Sequence, residues 1–321
     1  MKNRTRLIRA VSALLAAFAV VVLTACGNVG QSGGSGLSGG GGNGSGPTIT
    51  VGSKNFTEQY ILGNLYALAL EHAGFNVETK LNLGSVQVAD RALQSGQIDL
   101  YPEYTGTSLE TVLDYKGNPA SLNTPGQTYQ AAKKLYAQRN PADTMLQPAP
   151  FNDGYGIFVR KPVAEKYNLK TLADLAKASP HLIFVSFSEF QIRKDGYPNM
   201  KENYPALHFK QIKIVNSIGL KYQGVLQGDG DVGIGFTTDG QLTTHQLVVM
   251  KDPKKIWPFY YPAPVVRSDV LKKNPKIADV LNKVSSSLDV KTMQKLNGKV
   301  DLQHEDPEDV AREFLRQKGL I

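Results

Sequence analysis

From Thr48 to Phe236, short runs rich in β-branched residues alternate with windows of helical period, and this alternation restricts the fold more than any other feature. Residues 48–52 (TITVG) are strand-like. The window 56–73 follows, with Tyr60, Ile61, Leu65, Leu68 and Ala69 at helical spacing and Gly74 as its stop. Residues 76–81 predict a second strand, 86–94 a helix and 98–101 a third strand. The same order returns later: a strand over 155–160, helices over 163–167 and 171–178, strands over 182–186 and 211–215, a helix over 218–226 and a strand over 231–236. Residues 268–321 read as helices alone, with Pro275 and Pro307 near helix starts. Strands separated by helices form βαβ units, whose mostly parallel sheets carry helices on both faces. At about 275 residues the folded part predicts two α/β lobes rather than one continuous sheet, with the cleft between them as the ligand site.

The start of the chain has a different character. Lys2, Arg4, Arg6 and Arg9 precede an apolar run from Ala10 to Val22, and no acid occurs before Cys26. About 13 apolar residues are too few to span a bilayer and fit a signal-peptide core. Leu23-Thr24-Ala25-Cys26 resembles a bacterial lipobox, which makes the chain's single Cys the lipidation site. A diacylglyceryl group carries two acyl chains, enough for stable attachment to a membrane. Residues 26–46 hold eleven of the 31 glycines and predict a flexible tether of about 25 Å root-mean-square reach. Gly36-Leu37-Ser38-Gly39-Gly40 fits G-x-S-x-G, but in such a linker the match reflects composition, not a nucleophile elbow. The expected place of the protein is therefore the outer side of a bacterial cell membrane, held by lipid.

Charge excludes a further class. Lys+Arg number 36 against 28 Asp+Glu, a formal +8. Four of those cations leave with residues 1–25, so 32 − 28 = +4 remains, and no later basic run is long enough to track phosphates. One Cys allows neither a disulfide framework nor a thiolate zinc site. His72, His181, His208, His245 and His304 are scattered, with no H-x-x-x-H spacing. Residues 228–233 fit G-x-G-x-x-G, yet they follow a helix and lead into a strand, the reverse of the dinucleotide order. Asp229 and Asp231 lack the twelve-residue loop of a calcium site. No cofactor, metal or nucleic acid is expected, and no catalytic residue is assigned.

Six segments at strand ends or between lobes carry the functional signal: GSKNFTEQ (52–59), YPEYTGT (101–107), FNDGY (151–155), EFQIRKDG (189–196), GFTTDG (235–240) and PFYYPAP (258–264). Five of them set an aromatic residue beside Gly, Pro or Thr, and the six include Lys54 and Arg193 at sites where α/β clefts open. Together they point to a ligand cleft.

In their order along about 48–266, SKNFTEQYILGNL, IDLYPEYTGT, EFxxRxDG, GFTTDGQL and FYYPAPVV resemble the compatible-solute receptors of osmoprotectant ABC transporters. These are the glycine betaine/carnitine/choline-binding proteins of the OpuC and ProX type. The resemblance implies a two-lobed periplasmic-binding-protein fold of type II that closes on its ligand as a clamshell. The lobes would be 47–152 plus 258–321 and 153–257, joined by two crossovers. It also implies an aromatic box for a quaternary ammonium, here Tyr104, Tyr155, Phe236 and Tyr260, with Tyr261 the alternative to Tyr260 in the tandem pair. The carboxylate side would be Lys54, Thr107 and Arg193. The family usually has Tyr where Phe236 stands; Phe keeps the ring face and loses the hydroxyl.

A trimethylammonium group donates no hydrogen bonds, so ring faces suit it, at about 0.5–2 kcal/mol per desolvated cation–π contact. Lys54 and Arg193 would oppose a bare cation but hold a zwitterion's carboxylate by charge-assisted bonds. The expectation is a monomeric, non-enzymatic receptor that hands a betaine to an ABC permease. Choline, carnitine or another small solute is the alternative in the same class, and an anchored cleft enzyme the alternative in another. Arg193 has a competing structural use, an ion pair with Glu189 four residues earlier.

Overall fold

The computed structural model describes residues 48–321, so the signal peptide, Cys26, the tether and the Gly36–Gly40 match lie outside the described residues. Ten strands form two five-stranded sheets. The first has the order β2 (Val77–Lys80), β1 (Ile49–Gly52), β3 (Leu100–Tyr104), β10 (Pro262–Arg267), β4 (Asp143–Met145). The second has the order β7 (Gln211–Ile214), β6 (Ile183–Ser186), β8 (Val232–Phe236), β5 (Tyr155–Arg160), β9 (Leu247–Val249). In each sheet one strand runs against the other four: β10 pairs antiparallel with β3 and β4, and β5 with β8 and β9. The reversed strand is in each case the first one formed after the chain crosses from the other sheet. The rest follow the expected βαβ pattern, with β1, β2 and β3 parallel and β6, β7 and β8 parallel.

The helix Thr57–His72 lies under the first sheet, and residues 61–70 are all buried. A helix apolar on every side must be covered on every side. The C-terminal helices Lys276–Ser286, Val290–Gln303 and Pro307–Gln317 supply that cover, and Leu65, Leu281, Met293 and Phe314 share one core with it. This accounts for the run of helices expected over 268–321. In the second sheet Ile157, Phe184 and Ile234 form a separate core with Leu172 and Leu175 of the helix Leu172–Ala178. That helix starts at a capping box: Thr171 accepts from the Asp174 amide, and Asp174 accepts from the Thr171 amide.

Absent from the pattern-based reading are the strands β4, β9 and β10 and, among the helices, Pro125–Ala137, Ser188–Ile192 and Tyr197–Asn203. β10 hides behind Pro262 and Pro264, residues that normally exclude a central strand. Pro264 stands opposite Pro102 of β3 and turns its carbonyl the other way, accepting from the Leu146 amide at 2.9 Å. The missing N–H of Pro264 lies on the same side as its carbonyl, so the pairing with β3 needs no donor from it at this position. The G-x-G-x-x-G match is a helix-to-strand turn, with Gly228 at φ 94° closing the helix Ile218–Gln227 before β8. No helix among the described residues is long and apolar enough to cross a membrane.

Candidate functional site

The seven ligand-binding residues expected from the sequence come from six separate places and line one cavity of about 310 Å³. Lys54 follows β1, Tyr104 ends β3, and Thr107 ends the short turn Thr105–Thr107 after it. Tyr155 opens β5, Phe236 ends β8, Arg193 caps the helix Ser188–Ile192, and Tyr260 lies in the crossover before β10. The reversed strand explains one convergence. Because β5 is antiparallel to β8, its first residue pairs with the last residue of β8, which sets Tyr155 directly across from Phe236. Gly106 lets the crossover approach closely: a β-carbon there would stand 2.8 Å from the Phe259 carbonyl oxygen.

The tandem tyrosines separate as neighbours on extended chain do, to opposite sides. Tyr260 lines the cavity, with its hydroxyl donating to Asp195 Oδ2 at 2.7 Å. Tyr261 is held at the backbone, its amide donating to Thr105 Oγ1, and its ring packs edge-on against Phe259.

The rings form a continuous wall. Tyr155 stacks on Phe236 at 5.9 Å between centroids and meets Tyr260 edge-on at 5.7 Å. Phe56 completes the wall, stacked on Phe236 at 5.6 Å and on Tyr104 at 6.2 Å. Phe187 lies 6.2 Å from Phe236. Phe56 and Phe187 line the cavity and were not among the expected residues, although Phe56 stands inside the SKNF segment. Nothing local marks either ring, because each meets its partners only through the fold.

Both expected cations already have carboxylate partners. Lys54 Nζ donates to Glu103 Oε1 at 2.5 Å, with the two side chains 2% and 0% exposed, and sits 4.5 Å from the Tyr104 ring centre. Burial pulls the Lys54 ammonium below its usual range, and Glu103 works against that shift. Arg193 makes a two-point bond to Asp195, Nε to Oδ1 at 2.8 Å and Nη2 to Oδ2 at 2.5 Å. Glu189, the competing partner expected from helical spacing, is a minor one at 3.8 Å. The picture of two free cations repelling an unaccompanied ammonium is therefore corrected: each charge is largely neutralised, and what remains toward the cavity is spare N–H donors.

A third cation was not foreseen. Lys221, 1% exposed on the helix Ile218–Gln227, lines the cavity, donates to the Ile234 carbonyl at 3.0 Å and lies 4.3 Å from the Phe187 ring centre. Burial lowers it to about 8, with Asp239 acting in the opposite direction. Below the rings, Tyr104 donates its hydroxyl to Glu58 at 2.8 Å, and Thr238 donates to Asp153 at 2.6 Å. Asp153 also lines the cavity. The helix Val290–Gln303 reaches the same place, with Gln294 donating to the Thr237 carbonyl and Asn297 to the Thr238 carbonyl, both at 2.9 Å. Gly240 makes this approach possible, since a β-carbon there would stand 2.5 Å from Gly298 Cα. Among the described residues no group of three or more His, Cys, Asp or Glu side chains could hold a metal ion.

Residues 47–317 match the family described as the substrate binding domain of ABC-type glycine betaine transport system. The chain is 34% identical over 280 residues to the glycine betaine-binding protein YehZ of Escherichia coli, covering 84% of this chain and 90% of that one. It is 33% identical over 275 residues to the carnitine transport binding protein OpuCC of Listeria monocytogenes, covering 85% and 87%. Among solved structures it is similar to a glycine betaine/carnitine/choline ABC transporter protein, with a TM-score of 0.70, 28% identity, and coverage of 85% of this chain and 99% of that one.

Proposed function

Because this chain belongs to the family of substrate-binding domains of ABC-type glycine betaine transport systems, we propose that it captures a betaine outside the cell and delivers it to an ABC permease. The observation that carries this reading is the wall of Tyr104, Phe56, Phe236, Tyr155 and Tyr260 around one cavity. Ring faces attract a cation that cannot donate hydrogen bonds, and three or four of them supply several kcal/mol at about 0.5–2 kcal/mol each. That is enough for a complex of about micromolar strength after the cost of association.

The ammonium of the solute lies against these rings in this reading, and its carboxylate takes the spare donors of Lys54, Arg193 and Thr107. A solute with both ends is favoured over choline because only the carboxylate uses those donors. The lobes are 47–152 plus 258–321 and 153–257. Rings and donors come from both, so a solute in the cavity stabilises the closed arrangement over the open one. The receptor acts as a monomer, is anchored through lipid on Cys26, and changes no covalent bond of its solute.

Calorimetric titration with glycine betaine, proline betaine, carnitine and choline tests this. The betaines should bind most tightly and emerge chemically unchanged. Choline binding as tightly as glycine betaine would refute the carboxylate site, and absence of heat with all four would refute the receptor.

A further inference from the structure

Two carboxyls at the cavity lie in an environment that suits neither as an anion: Asp153 lines it, and Glu58 stands behind Tyr104, whose hydroxyl it accepts from. Glu58 is 3% exposed and Asp153 6%. Glu58 accepts from the Tyr104 hydroxyl through Oε1 and from the Asn297 amide through Oε2, at 2.8 and 3.2 Å. Asp153 accepts from the Thr238 hydroxyl. Among the described residues no Lys, Arg or His lies within ion-pair distance of either one. Two buried negative charges with no counter-ion are strongly disfavoured, so the pair must keep a proton or acquire a cation. The cavity above them is walled by rings, and Asp153 reaches it beside Tyr155.

We propose that the buried carboxyls Glu58 and Asp153 retain a proton between them in the solute-free receptor and that the quaternary ammonium displaces it, the pair then serving as the solute's counter-anion. This rests on the reading that the ammonium occupies the ring-lined cavity. No covalent bond forms or breaks; the proton leaves to solvent and the ammonium takes over its charge. Tyr104 transmits the change as well, because a phenol hydrogen-bonded to an anion has a more electron-rich ring face.

Burial pushes Glu58 up to about 7, with Asp239 adding to the shift and the donors Thr238, Tyr104 and Asn297 opposing it. Burial also pushes Asp153 well above the carboxylate range, with Glu58 the next cause. The other titratable groups packed around the pair are Tyr66 on the same helix as Glu58, Asp239 after β8, and Asp301 on the helix Val290–Gln303. Lys221 and Tyr222 on the helix Ile218–Gln227 act on Asp239, and Lys54 lies over the Tyr104 ring. The deprotonated pair binds the ammonium better, so affinity should fall about tenfold between roughly pH 8 and pH 6.

The test is calorimetry of glycine betaine binding near neutral pH in two buffers of different ionisation enthalpy, with the native protein, Glu58→Gln and Asp153→Asn. The dependence of heat on buffer should reveal up to about one proton more released by the native protein than by either variant. An equal dependence in all three would overturn the proposal. Infrared difference spectra of the native protein give a readout independent of the variants' folding. A protonated-carboxyl stretch should vanish on saturation with betaine, and its persistence overturns the proposal. Betaine binding without proton release defeats this inference alone, whereas no betaine binding defeats the receptor reading with it.

Discussion

Lys54 and Arg193 each lie against a carboxylate, whereas among the described residues Glu58 and Asp153 have no cation within ion-pair distance. Lys54, Glu58 and Asp153 are buried and the Arg193 side chain is only 11% exposed, so the contrast is one of design rather than depth. A cation fixed by its own carboxylate is held in place and offers directed N–H donors with little net charge. A buried carboxyl pair without a cation offers the reverse, a deficit of positive charge that a ligand can fill. The difference teaches that the two ends of a zwitterion need not be met symmetrically.

The most severe way to break the contrast is to remove Glu103. Glu103→Leu leaves the Lys54 ammonium buried without its partner, and loss of one member of such a pair costs about 3–5 kcal/mol. Chemical denaturation should show that loss, while Glu58→Gln, which orphans no cation, should show far less. Equal losses would erase the distinction between the two regions.

A smaller effect is expected at the rings. Tyr155→Ala removes the face that meets both Phe236 and Tyr260, and betaine affinity should fall by about 2 kcal/mol, near thirtyfold. Tyr155→Phe keeps the face and should change affinity little. Calorimetry on the two variants separates ring from hydroxyl, and an unchanged affinity in Tyr155→Ala would remove the ring wall from the binding site.

A pH dependence of stability is also expected. Glu58 rises from 4.5 to about 7 in the folded protein, so folding favours its protonated form. Its contribution is then complete below about pH 4.5 and is lost as pH rises toward 7. Asp239, raised to about 6, has the same sign. The melting midpoint of Glu58→Gln should therefore gain on that of the native, solute-free protein as pH climbs through this window. A gap that narrows or stays constant would remove the carboxyl side of the comparison.

Much of the fold was legible because βαβ units carry two distinct periods. The helix Val86–Gln94 and the strand Tyr155–Arg160 have the bounds their patterns predict. β10 was not legible, since its prolines are tolerated only through its particular register against Pro102. In the site, residue types were readable and their partners were not. Lys54 and Glu103 are 49 positions apart and meet only because β1 and β3 are neighbours. Arg193 shows a finer failure. Its spacing from Glu189 suits a helix, but the helix ends at Ile192 and Arg193 has extended backbone at φ −64° and ψ 140°. That turn carries its guanidinium away from the preceding turn and onto Asp195.

The close approach of Gly240 to Gly298 has a mechanical meaning. With no side chain on either backbone there is nothing to interlock, while Gln294 and Asn297 grip the Thr237 and Thr238 carbonyls a few residues away. Such a junction resists pulling apart and offers little resistance to pivoting, which makes it a bearing. Phe236 is one residue from the gripped segment, so the ring wall of the cavity begins beside this bearing.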